Sequence, residues 1–231
     1  MNTAPGAPLT LVVLISNQGS NLQAIIDAIA SQEIHARILA VVSNNPHAPG
    51  LQKAKNAGIP TAVTERGDFA TRKDFDRRLL QLVRDYDPGL VVLAGFMRIL
   101  DDEFVEHFDG RLLNVHPSLL PKYPGLNTYR RVLAAKDGVH GCSIHFVSSR
   151  VDGGPVVAQT EVPIRADDDE ISLSARVQAS EHKLYPMVIG WFANGGLQCQ
   201  YETIMLDGKR LAKPRKFAFT GLDETQESGK L

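Results

Sequence analysis

The sequence predicts an α/β protein with a doubly wound, mostly parallel sheet that finishes in an antiparallel part. Three observations carry this. The run Leu9 to Ser16, LTLVVLIS, is continuously apolar and rich in β-branched residues, as expected of a strand covered on both faces. Further runs of this kind alternate with segments whose apolar residues recur at helical spacing, the signature of βαβ units. Beyond Gly141 the pattern changes to two alternating strands around a glycine-rich connection, which reads as a hairpin.

In chain order, the strand Leu9 to Ser16 leads into the polar loop Asn17-Gln18-Gly19-Ser20-Asn21, and Leu22, Ile25, Ile26 and Ile29 then mark one helix face. A strand at Ile38 to Ser43, a helix at Gly50 to Ala57, a short strand near Ile59 to Val63 and a longer helix over Thr71 to Tyr86 follow. The buried strand Leu90 to Ala94 precedes a short helix around Asp102 to His107. Arg111 to Val115 is a further strand and runs directly into His116-Pro117-Ser118-Leu119-Leu120-Pro121. Ligands of doubly wound sheets bind beyond the carboxyl ends of the strands, so Gly19, Gly95 and Asn114 should cluster. The hairpin strands are Gly141 to Ser148 and Val156 to Ile164. A helix from Ile171 to Phe192 and one strand from Leu197 to Leu206 complete the expected order. Residues 1–8 and 213–231 read as flexible tails, with Lys213-Pro214-Arg215-Lys216 a solvated basic run.

The 231 residues are 43% hydrophobic and 22% charged, an ordinary globular composition that points to one large domain over residues 9–212. With 25 basic against 26 acidic residues the net charge is −1, which provides no field to gather nucleic acid or an anionic membrane and favours small-molecule partners. Met1 to Pro8 contains no basic residue and is no signal peptide. No apolar stretch approaches the roughly 20 residues of a membrane span. Cys142 and Cys199 are far apart and read as reduced thiols of a cytoplasmic protein, although one bridge between them stays open. The seven histidines show no metal-ligand spacing, so no metal is expected.

Asn114 and His116 stand two apart on a strand, which puts both side chains on one face. Pro117 ends the strand there, so an amide donor and a titratable imidazole converge at its tip, as a reaction that builds negative charge on a carbonyl oxygen requires. Alone, Asn114 reads more readily as a turn cap and His116 as a satisfied, partly buried histidine. Asp152, in Val151-Asp152-Gly153-Gly154-Pro155, reads as a turn residue, which is compatible with holding a carboxylate against a pocket. Gly19-Ser20-Asn21 offers backbone N–H groups at a helix start, suited to a phosphate, although Ser and Asn are also ordinary caps. Gln178 and Glu181 lie three apart on one helix face. Neither Gly-x-Gly-x-x-Gly nor a Gly-Lys-Ser/Thr motif occurs.

Asn114-Val115-His116-Pro117-Ser118-Leu119-Leu120-Pro121, with Gly125 beyond and Val151 to Pro155 downstream, resembles the core signature of the folate-dependent formyltransferases. The similarity runs from Val12 to Ser16 through Gly19 to Gln23, Val92 to Leu100, Arg176 to Gln178 and Glu181-His182. It implies the formyltransferase fold, with a phosphate-binding N-terminal half and a folate-binding, catalytic C-terminal half. The implied activity is transfer of a formyl group from 10-formyltetrahydrofolate, as cosubstrate, to the amine of glycinamide ribonucleotide. Asn114, His116 and Asp152 match the catalytic trio. Gly19, Ser20, Asn21, Gln178 and Glu181 match the ribonucleotide site. Arg72, Met97, Arg98, Ile99, Leu100, Val147, Ser148, Ser149, Arg150 and Val151 match the folate site. The family's Ser-Gly-x-Gly-Ser-Asn departs at Asn17, and no role carries over to Asn127 and Tyr129, while His145 is expected just behind the site. A monomer or homodimer is expected. Sibling readings are hydrolysis of formyltetrahydrofolate by the same trio, in enzymes that usually set a regulatory domain ahead of the sheet, transfer to methionyl-tRNA, whose enzymes add an RNA-binding domain, and a catalytically silent binding module.

Overall fold

In the computed structural model, which describes residues 6–219, the first apolar run forms β1 (Leu9–Ile15) and Gly19 opens α1 (Ser20–Ala30). The first half continues as β2 (Ala36–Ser43), α2 (Pro49–Asn56), β3 (Thr61–Val63), α3 (Arg72–Arg84), β4 (Leu90–Leu93), α4 (Asp102–His107) and β5 (Leu112–His116). Then come α5 (Thr128–Ala135), the hairpin β6 (Val139–Phe146) and β7 (Val156–Pro163), and the long α6 (Glu170–Ala193). Four short strands finish the described chain: β8 (Leu197–Gln200), β9 (Thr203–Leu206), β10 (Lys209–Arg210) and β11 (Arg215–Phe217).

The main sheet has eight strands in the order β11-β7-β6-β5-β4-β1-β2-β3. From β5 to β3 every pairing is parallel. β5 with β6 and β6 with β7 are antiparallel, so β5 is where the sheet changes sense. Alternation along β1 explains why both faces must be covered. Leu11, Val13 and Ile15 enter an apolar cluster with α1, α2 and α6, whereas Val12 and Leu14 enter a second with α3 and α4. The predicted fold class is the observed one.

Three expectations about local structure need correction. The strand expected over Leu197 to Leu206 is two strands, paired antiparallel and joined by Tyr201 and Glu202, both left-handed at φ 50° and 58°. With β10 they make a separate three-stranded sheet. The tail expected from residue 213 starts too early, because Arg215–Phe217 pair parallel with Ala158 to Thr160 and cover the edge of β7. Phe217 also packs on Trp191, with centroids 5.8 Å apart. α5 was not anticipated at all. Residues 1–5 and 220–231 of the two expected tails lie outside the described residues. Both cysteines are free thiols, which closes the question of a bridge.

Tyr185 ties α6 to the middle of the sheet. Its ring is fully buried, and its hydroxyl lies 3.1 Å from the Leu93 carbonyl and 2.9 Å from that of Leu113. Tyr185→Phe keeps the packing and removes the donor, so a loss of about 1 to 2 kcal/mol is expected in urea unfolding. An unchanged midpoint and slope would show that the hydroxyl contributes nothing.

Candidate active site

The change of sense at β5 positions the first two side chains. Asn114 and His116 point to one face, and the antiparallel register sets Asn114 opposite His145 and His116 opposite Ser143. His116 is 5% exposed. Its Nδ1 lies 3.3 Å from Asp152 Oδ2 and its Nε2 lies 2.9 Å from the Tyr123 carbonyl. A carboxylate and a carbonyl only accept, so whichever ring nitrogen carries a hydrogen faces an acceptor there.

Asp152 arrives from a tight turn between β6 and β7. It is left-handed at φ 49°, and the Gly153 N–H closes the turn on the Arg150 carbonyl at 3.0 Å. Gly154 lies so close to the Phe146 carbonyl that a Cβ would overlap it, which presses the turn against the end of β6. The Gly125 N–H donates to Asp152 Oδ2 at 2.8 Å, holding the carboxylate from the opposite loop. Asn114 Nδ2 meets His145 Nε2 at 3.0 Å. The residues expected to converge from sequence positions 114, 116 and 152 therefore do so.

At the phosphate-type loop, Gly19 is left-handed at φ 64° and a Cβ there would lie 2.8 Å from Gly50 Cα, so only glycine lets α1 start against α2. No side chain caps α1 and its first turn holds no acidic residue. Its leading N–H groups and positive dipole end are thus left for an anion. Asn17 is not among the left-handed residues, which explains why a side chain is tolerated where the family pattern has glycine. Its carbonyl accepts from Gly50 N at 3.1 Å.

Asn21 Nδ2 donates to Glu181 Oε2 at 2.8 Å, joining α1 to α6 across the cleft. Burial pushes the Glu181 carboxyl up to about 7, against the opposing effect of the Asn21 hydrogen bond. Gln178, expected beside it, is exposed while Glu181 is buried. The folded state holds the Glu181 proton more tightly than the unfolded chain, so the stability it contributes is full below about 4.5 and is lost as pH rises toward about 7. Glu181→Gln, which cannot ionise, should therefore be more stable than the parent at pH 8, by about 1 to 3 kcal/mol, and no more stable at pH 4. Parallel melting-temperature curves against pH would refute this.

The expected folate segments lie on the α3 and α4 side. Leu100 and Val147 both pack against the same apolar cluster, while Met97, Ile99 and Val151 are exposed. The Arg98 guanidinium sits 4.5 Å over the Phe75 ring. Arg72, which the resemblance matches to the folate site, is engaged within the chain, with Nε 3.2 Å from Asp76 and Nη2 donating to the Ile99 carbonyl at 3.1 Å. Ser148, Ser149 and Arg150 line a neighbouring cavity of about 340 Å³ with Phe146, Pro155 and Cys199. A separate groove of about 880 Å³ between α1 and α6 includes Ser20, Lys53 and His182 but none of the trio. Among the described residues no group of three His, Cys, Asp or Glu could hold a metal ion.

Several participants were given no role from sequence. The Gly125 N–H and Tyr123 carbonyl act through the backbone, which no side-chain motif announces. Ser16 is another. Its hydroxyl donates to Asn44 Oδ1 at 2.6 Å and accepts from Met97 N at 2.8 Å, fastening the Met97 loop to the end of β1; a serine directly after an apolar strand was the available signal.

An imidazole and a carboxylate in contact, with an amide on the same strand face, thus stand where a doubly wound sheet changes sense, the fold and site of an α/β enzyme. The formyl transferase family matches residues 9–189. The chain is 52% identical over 203 residues to the phosphoribosylglycinamide formyltransferase of Escherichia coli K12, covering 88% of this chain and 96% of that one. It superposes on the phosphoribosylglycinamide formyltransferase of Coxiella burnetii with a TM-score of 0.87 and 48% identity, covering 91% and 99% of the two chains. A formyltetrahydrofolate deformylase from Pseudomonas putida shares the fold, at a TM-score of 0.79 and 23% identity over 88% of this chain and 72% of that one. The chain belongs to the formyl transferase family and is an enzyme of formyl transfer.

Proposed function

We propose that the chain moves the formyl group of 10-formyltetrahydrofolate onto the amine of glycinamide ribonucleotide, a step of de novo purine synthesis. The observation that carries the reading is Asp152 held against His116, 3.3 Å away, with Asn114 on the same face. The substrate amine attacks the formyl carbon, forming a C–N bond while the carbonyl oxygen takes the electron pair. Asn114 and protonated His116 donate hydrogen bonds to that oxygen; Nε2 of His116 shares or gives up its bond to Tyr123 to do so. Asp152 accepts the proton the amine loses, directly or through water. Collapse breaks the bond to the folate nitrogen, which leaves with the proton that Asp152 took from the amine, passed directly or through water, so the site returns to its starting state. No covalent enzyme intermediate and no metal enter the scheme.

The start of α1, with Gly19, Ser20 and Asn21, takes the phosphate, and Glu181 and Gln178 face the ribose and amine side. Burial raises the Glu181 carboxyl to about 7, so it carries less negative charge toward a nearby phosphate than a solvated carboxylate would. Met97 to Leu100 and Val147 to Val151 take the flat pterin in an apolar slot edged by backbone groups, and Arg72 lies toward the glutamate end. The protein acts in the cytoplasm, as a monomer or homodimer, without nucleic acid; no helix of the described residues is long and apolar enough to cross a membrane.

Mixing the enzyme with 10-formyltetrahydrofolate, with and without glycinamide ribonucleotide, and following tetrahydrofolate release tests this. Release that depends on the amine is expected. Release without the amine would make the chain a hydrolase, and no release would make it a binding module.

A further inference from the structure

We infer that His145 is a positioning residue for formyl transfer, one that fixes which end of the Asn114 amide faces the reacting oxygen. The inference rests on the proposed role of Asn114 as a donor to that oxygen. An asparagine presents nitrogen and oxygen ends of nearly the same shape, and a half-turn of the amide exchanges a donor for an acceptor. In a site that must stabilise an oxyanion, the wrong end is repulsive.

His145 removes that freedom. It is 2% exposed and lies directly opposite Asn114 across the antiparallel pair. The pairing of β6 with β7 shifts register between Ile144 and His145, the kind of irregularity that re-aims a side chain. Nδ1 of the ring is 2.8 Å from the Phe146 carbonyl, which only accepts, so Nδ1 carries the hydrogen. In the neutral ring Nε2 then carries a lone pair, and at 3.0 Å it takes one N–H of the Asn114 amide. Turning the amide over would set oxygen against that lone pair. The second N–H has no other partner among the described residues and is left for the cleft. Burial holds the imidazole toward its neutral form, while Asp152 opposes and His116 adds to the effect. Asp152 Oδ1 is 3.7 Å from Nε2, and the neutral ring has no proton there to give it, so His145 does not occupy the carboxylate, whose Oδ2 faces His116 and Gly125.

The test separates the two ring nitrogens. His145→Asn can keep the bond to Phe146 but loses the acceptor near Asn114, whereas His145→Gln can place an amide oxygen there. We expect His145→Asn to lower kcat about 10- to 100-fold with KM for both ligands nearly unchanged, and His145→Gln to recover most of it. In an Asn114→Ala background, His145→Asn should cost little more, because its effect passes through the amide. Full activity in His145→Asn, or an equal further loss in the Asn114→Ala background, overturns the inference. Near-normal turnover by Asn114→Ala itself overturns the underlying role of Asn114 instead, so the two failures are distinct.

Discussion

His116→Ala and Asn114→Ala each lower kcat by about 10²- to 10³-fold while leaving ligand affinity nearly intact, if the two side chains meet the developing oxyanion as proposed. That range is the usual cost of one such donor, about 2.7 to 4 kcal/mol. The effect falls on kcat because the full charge exists only in the transition state. Neither change should unfold the protein, since His116 ends β5, Asn114 stands two residues before it on the same face, and the strands around them pack through Leu113, Ile144 and Val157, all fully buried. Steady-state kinetics with a melting curve for each variant decides the matter. A purified variant that melts normally and still transfers formyl at close to the parental rate would show that its side chain is not part of the chemistry.

Asp152→Asn is the second large effect, expected at about 10²- to 10⁴-fold in kcat, the range for a positioned proton acceptor. The substitution preserves size, and an asparagine oxygen can still receive the Gly125 N–H. What disappears is the negative charge, and with it both the acceptor for the amine's proton and the anion that faces the His116 ring at 3.3 Å. The carboxylate can be lost without disturbing the turn, because the turn is closed by the backbone bond of Gly153 to Arg150 and by the close seat of Gly154 on Phe146. Comparing Asp152→Asn with Asn114→Ala and with the double variant is informative. Residues that act on one step as a unit lose less together than the product of their separate losses. Equal turnover by Asp152→Asn and the parent protein would remove Asp152 from the mechanism.

The regular elements were legible wherever local pattern and tertiary demand agreed. β1 is announced by an unbroken apolar run because it is covered on both faces, and α6, expected over Ile171 to Phe192, spans Glu170–Ala193. The misses are places where the chain gives no local sign. Tyr201 and Glu202 turn the β8–β9 hairpin in left-handed conformations, yet neither is the Gly, Asn or Asp that marks such a turn. α5 is eight residues long, with a left-handed Asn127 as its cap and no side-chain cap bond, so it depends on packing against α6 rather than on propensity. β11 follows Lys213-Pro214, itself contains Arg215 and Lys216, and takes its place by pairing with the edge of β7.

The site was legible to the same extent. Asn114 and His116 share a strand, so period two places them together without further information. That Asp152 joins them depends on the hairpin turn and the Gly125 loop, and the contact of Asn21 with Glu181 spans 160 positions of sequence. Only the family resemblance linked these distant residues in advance. The tautomer of His145 had no such route, since it is set by a carbonyl in the next residue and an amide on another strand.

The switch of strand sense at β5 has a kinetic corollary. One wall of the cleft hangs from the parallel half and the other from the hairpin and α6, so the chemistry has no existence in either half alone. Contacts between residues far apart along a chain form late in folding, after long loops have closed. Regain of turnover during renaturation is thus a clock for the last docking event, and should lag behind the return of helical circular dichroism.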